Sequence, residues 1–137
     1  ICEWASRVVF VNGHGGNVDA LRAAVAMLRA ENRDVVWCSG WAAGGDAHAG
    51  HTETSLLLHL SPHLVRRDRW VAGNRQSLDA LLPALRRGGV GAVSPSGVLG
   101  DPTTATAAAG AQIFAGMVAD GVRRVREWSP DRGGMLT

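Results

Sequence analysis

Two glycine-rich segments of this chain carry histidine in settings that suit chemistry. Asn12-Gly13-His14-Gly15-Gly16-Asn17 holds one histidine, and Asp46-Ala47-His48-Ala49-Gly50-His51-Thr52-Glu53-Thr54-Ser55 holds two, with Glu53 close behind. Imidazole nitrogens and carboxylate oxygens are the donors that hold zinc, manganese or iron. The same groups move protons near neutral pH. The glycines beside His14 let main chain or substrate approach closely, which suits a metal ligand or a proton carrier as well as a plain glycine turn. His51 suits the first turn of a helix better than a ligand role, and Asp101 suits a helix cap better than an acid. Serine-nucleophile chemistry is set aside, because the chain has no G-x-S-x-G elbow.

The elements that must position these groups follow from hydrophobic pattern. Val8-Val9-Phe10-Val11 predicts a buried strand over 7–12, and Val35-Val36-Trp37-Cys38 a second over 34–38. Between them an amphipathic helix is expected over 17–31, with Asn17 as N-cap and Ala20, Leu21, Ala24, Val25 and Leu28 on its core stripe. Parallel strands would send both histidine loops out at one carboxyl edge, where open α/β sheets bind ligands. The second loop leads into a helix that runs to about residue 60 and stops at Ser61-Pro62. Residues 63–76 show no period. A short helix is expected over 77–87 despite Pro83, then a strand or extended loop over 90–100. Asp101-Pro102 predicts an N-cap with proline at the first helical position, opening a last helix over about 103–128. The final residues, about 130–137, are expected to be a flexible tail.

NGHGGN after a strand, followed by H-x-G-x-x-E-T-S (His48, Gly50, Glu53, Thr54, Ser55), resembles the creatininase family of metal-dependent amidohydrolases. Gly97-Val98-Leu99-Gly100-Asp101-Pro102-Thr103-Thr104-Ala105-Thr106-Ala107 resembles that family's G-V-x-G-D-P-x-x-A-T-A segment. The SPSGVLGDPTTAT wording is most similar to the branch that matures the peptide precursor of the redox cofactor mycofactocin, whose members release a C-terminal dipeptide. The resemblance implies a three-layer α/β/α fold with a mostly parallel sheet, its N-terminal part missing, so that residues 1–137 are the C-terminal part of a single domain. It implies two divalent ions, zinc, manganese or iron, in each complete site, with His14 and Glu53 as metal ligands. His48 and Glu53 become the catalytic residues, and Gly15, Gly16 and Trp41 line the substrate site. In creatininase itself a glutamate lies two residues beyond the metal-binding histidine, where this chain has Gly16, and Glu53 is the candidate substitute. The reaction implied is attack of a metal-activated water on an amide carbonyl, with His48 serving the oxyanion or the leaving nitrogen. The family's first metal-binding segment, with its glutamate, histidine and bridging aspartate, has no counterpart in this chain. A creatinine amidohydrolase-like enzyme is the alternative, and an inactive half-domain serving folding or oligomerisation is the alternative of another class.

Composition bounds the rest. At 137 residues and 46% hydrophobic, the chain can bury one core, and no uninterrupted apolar run reaches membrane-spanning length. The net charge is +2, carried by arginine with no lysine, in short pairs such as Arg66-Arg67, Arg86-Arg87 and Arg123-Arg124. No extended basic face interleaved with aromatics is present, so nucleic acid is not an expected partner. Cys2 and Cys38 form no CxxC motif, and no secretory signal is visible, so a cytoplasmic location is expected. A peptide or small amide substrate and a homo-oligomer complete the expectations. Trp37 on its strand is expected in the core, while His59 and His63, beside Pro62, are expected to be structural.

Overall fold

The computed structural model describes residues 1–137. They form two compact units: residues 1–41 with 117–137, and residues 42–116. In the first unit β1 (Val8–Asn12) pairs in parallel with β2 (Val35–Ser39), Val8 opposite Val35 and Asn12 opposite Ser39. The connection is α1 (Val18–Ala30), the crossover that parallel strands require. Val18, Leu21, Val25 and Leu28 recur at helical spacing and pack on Val8, Val35 and Trp37. Ala20 and Ala24, expected on that stripe, are exposed. Asn32, at φ 59°, ends the helix in the left-handed conformation that asparagine tolerates.

The opposite face of β2 is covered by the C-terminus. Val36, Cys38 and Leu136 are buried together, with Val9 and Trp128 against them. Residues 130–137, expected to be loose, are docked. Trp37 N donates to Gly134 O at 2.9 Å and Leu136 N to Trp37 O at 2.8 Å. The physical reason is main-chain satisfaction: Trp37 is buried, and without the tail its polar groups on that side would have no partner.

β1 is less protected than the sequence suggested, with Phe10 40% and Val11 70% exposed. Val8 N donates to Asp34 O, and Asn12 O accepts from Gly40 N. Alternate residues of a parallel strand bond to one neighbour, so Val9 and Val11 turn their N–H and C=O toward the open edge.

The second unit contains α2 (His51–Leu60), α3 (Leu78–Gly88) and the first part of α4 (Ala107–Glu127), which continues into the first unit. Residues 90–100 form no strand: a short turn at Val90–Ala92 leads to glycines 97 and 100 at φ 80° and 146°, which interrupt any ladder. The expected helix from 103 starts only at Ala107. Pro102–Thr104 is a separate 3₁₀ turn, Ala105 is extended at ψ 142°, and Thr106 Oγ1 accepts from Ala109 N at 3.0 Å to cap α4. No helix is long and apolar enough to cross a membrane.

Leu136 is fully buried, so Leu136→Ala should cost about 2–4 kcal/mol through lost burial and a residual cavity. Denaturant unfolding measures this, and an unchanged midpoint would mean the tail does not pack on β2.

Candidate active site

The first histidine loop is organised by a buried asparagine. Asn12, at the end of β1, is 6% exposed. Its Nδ2 donates to His14 O at 3.0 Å, and its Oδ1 accepts from His14 N at 3.3 Å and Asn17 Nδ2 at 3.4 Å. Asn17 therefore does not cap α1. Its side chain is drawn to Asn12, and a 3₁₀ turn over Gly15–Asn17 feeds the helix. The His14 imidazole is exposed and lies over Gly16, where a Cβ would stand 2.7 Å from Nε2. Gly16 thus makes room for the histidine ring, whereas a Cβ on Gly13 or Gly15 would meet nothing within 4 Å. The loop after β2 leaves from the same carboxyl edge as His14, through Gly40 and Trp41, and Trp41 is 45% exposed.

In the second unit His48 and Glu53 come together. His48 Nδ1 lies 3.5 Å from Glu53 Oε2, and that oxygen also accepts from Ala49 N at 2.5 Å. Glu53 Oε1 has no partner in the chain, and both side chains are about half exposed, at 54% and 53%. Ala49 takes the turn at φ 51°. Asp46 accepts from Thr52 N at 2.9 Å and from His51 N, capping α2. Desolvation pushes the Asp46 carboxyl up, but hydrogen bonds from Thr52 and His51 outweigh it and hold it below the usual carboxylate range.

The third motif is the bed of the second. His48 N donates to Leu99 O at 3.2 Å, and Leu99 N to His48 O at 2.8 Å, an antiparallel bridge. His51 Nδ1 meets Thr104 Oγ1 at 2.9 Å, and fully buried Ser55 accepts from Thr106 N at 3.2 Å. Asp101 caps its own turn, accepting from Thr103 N at 3.0 Å and Thr103 Oγ1 at 2.6 Å, and it pairs with Arg75. His51 Nδ1 is therefore engaged by a threonine, and Asp101 caps the short Pro102–Thr104 turn, not the last helix it was expected to open.

These three motifs, in this order, agree with a family match: the model of creatininase, described as creatinine amidohydrolase, covers residues 3–125. The chain belongs to the creatininase family. It is 68% identical over 134 residues to the mycofactocin precursor peptide peptidase of Mycobacterium tuberculosis (strain ATCC 25618 / H37Rv), which covers 98% of this chain and 53% of that protein. Among solved structures, a glutamate-to-glutamine mutant creatininase of Zn-Zn type is 28% identical with a TM-score of 0.63. A structure titled creatininase Mn is 26% identical with a TM-score of 0.62. Each covers 92% of this chain and 58% of the creatininase chain. The creatininase-like α/β fold expected from the motifs is thus the fold observed, and the chain spans about half the length of the curated relatives it matches.

Creatininases of Zn-Zn and Mn type raise the question of what this member could hold. Imidazole and carboxylate suit either metal, and His14, His48 and Glu53 supply them. Neither unit, however, gathers three or more His, Cys, Asp or Glu side chains around one point. A catalytic zinc typically takes three protein ligands and a water. The donors of each unit fit part of such a site. Asn12 and Asp46, which organise the two loops, went unassigned in the sequence. Nothing in the sequence marked Asp46, because its partner Thr52 stands six residues away, outside the three-residue spacing of a capping box.

The Thr103 hydroxyl, then the Thr103 N–H and Arg75, hold the Asp101 carboxyl below its ordinary 3.8. A carboxyl depressed in the folded state contributes stability above its unfolded pKa, and that contribution disappears as pH falls through the folded value. Asp101→Asn should therefore be less stable than the parent at about pH 6, and in thermal melts the difference should shrink as pH falls below the ordinary carboxylate range. Parallel curves across that range would contradict the assignment.

Proposed function

We propose that this chain is the C-terminal part of a metal-dependent amidohydrolase that cleaves a peptide bond near the C-terminus of the mycofactocin precursor peptide. The observation that carries the reading is the His48–Glu53 pair, held on a loop whose main chain is bridged to the third family motif. The 68% identity to a mycofactocin precursor peptide peptidase supports the peptide over creatinine as substrate, since the two creatininase structures are 28% and 26% identical.

Two divalent ions, zinc, manganese or iron, would complete the site: His14 would ligate one, Glu53 through Oε1 would replace the glutamate that Gly16 displaces as ligand of the other, and further donors would come from the part of the full-length protein outside this chain. When bound, such an ion polarises the amide carbonyl and lowers the pKa of a coordinated water. Glu53 Oε2 faces His48 Nδ1, which favours a proton there and leaves Nε2 to serve the substrate. From that position Nε2 can stabilise the developing oxyanion or protonate the leaving nitrogen. Trp41, half exposed after β2, and the open main chain at Gly15 are the substrate-facing elements, and Gly16 accommodates the imidazole.

A stripe of exposed apolar residues on α4, Phe114, Val118, Val122 and Val125, supports a homo-oligomer. The unpaired Cys2 and Cys38 are consistent with a reducing cytoplasm.

Elemental analysis and turnover of the full-length protein test the roles separately. His14→Ala should lose both metal and activity. His48→Ala should keep its metal and lose about 10²–10⁴-fold in kcat. Full metal occupancy in His14→Ala would contradict the ligand assignment. A full-length protein with neither metal nor peptide hydrolysis would remove the amidohydrolase reading and leave His14 and His48 as ordinary loop residues.

A further inference from the structure

Asp46 belongs to the second motif yet has no part in the chemistry just described, and its surroundings are unusually specific. Both of its oxygens are engaged: Oδ1 accepts from Thr52 N at 2.9 Å and Oδ2 from His51 N. Thr52 returns the contact, its Oγ1 accepting from Asp46 N at 3.3 Å. The reciprocity is that of a capping box, but here it ties residues 46 and 52 across a loop rather than within one turn. His48 lies inside that loop. Gly50 and Gly100 close around the carboxylate, and a Cβ on either would fall onto it. Leu99, next to Gly100, bridges the main chain of His48, and Ala49 N reaches Glu53. The carboxylate therefore fastens the loop to the start of α2, with Gly100 of the third motif packed beside it.

We propose that Asp46 is a positioning residue. Its reciprocal cap with Thr52, seated between Gly50 and Gly100, fixes the loop so that the His48 imidazole meets the Glu53 carboxylate. A cap serving only helix stability would need neither the return contact from Thr52 nor the two glycines. The catalytic consequence rests on the functional reading above, whereas the structural consequence does not, and the test separates them.

Asp46→Ala, Thr52→Val and Thr52→Ser are compared in the full-length protein by amide hydrogen exchange and by kcat and KM on the precursor peptide. Asp46→Ala should speed exchange at the Ala49 and Leu99 amides by about tenfold or more, with Val36 and Trp37 unchanged. In the same variant kcat should fall about a hundredfold while KM stays within about threefold. Thr52→Val, which keeps the carboxylate, should move both readouts the same way by less, and it carries the test if Asp46→Ala does not fold. Thr52→Ser, which keeps the hydroxyl, should retain the parent exchange pattern. Parent-like exchange at Ala49 and Leu99 in the folded Asp46→Ala or Thr52→Val variant overturns the proposal. So does faster exchange with kcat untouched. If the parent enzyme does not hydrolyse the peptide, the functional reading fails, and exchange alone then decides whether Asp46 holds the loop.

Discussion

Parallel pairing of β1 with β2 is the constraint on which the first unit depends. It forces a crossover helix between the strands, and it brings the end of β1 with His14 and the exit through Gly40 and Trp41 to one edge. The two strands are not equal partners. Every residue of β2 from Val35 to Cys38 is buried, with α1 on one face and Leu136 and Trp128 on the other. β1 pairs on one side only and leaves Val9 and Val11 main-chain groups at an open edge beside exposed Phe10. Natural sheets seldom leave such an edge uncovered. That agrees with a chain matching about half the length of its relatives.

The second unit solves a different problem, which is how to hold reactive groups on a loop without burying them. His48 and Glu53 remain half exposed, so packing does little to fix them. Hydrogen bonds do that work instead: the Leu99 bridge, the Asp46–Thr52 reciprocity, and the contacts from Thr104 to His51 and Thr106 to Ser55. Gly50, Gly100 and Gly110 permit these approaches, since a Cβ at each would strike Asp46 or Ser55 O. The third motif, which carries no expected catalytic group, thereby acquires a physical purpose.

Elements with strong periodicity were legible from the sequence. β2 follows from a continuous apolar run, α1 from Leu21, Val25 and Leu28 at helical spacing, and α2 from its stop at Ser61-Pro62. What was hidden depends on competition between partners. Asn17 looks like a helix cap until Asn12, buried five residues earlier, claims its side chain. The start of α4 is obscured because alanine-rich sequence favours helix throughout, while extended Ala105 delays it. The C-terminal tail is too short for any period, yet Leu136 completes the core. The candidate site was legible as motifs; the reciprocal cap was not, because a six-residue contact around a loop has no periodic signature.

The functional reading turns on His14 as a metal ligand in a site completed by the rest of the full-length protein. Anomalous diffraction from crystals of that protein loaded with zinc or manganese tests it most directly. The expected result is a zinc ion about 2.0–2.1 Å from an imidazole nitrogen of His14. Bound ions with none on His14 would contradict it.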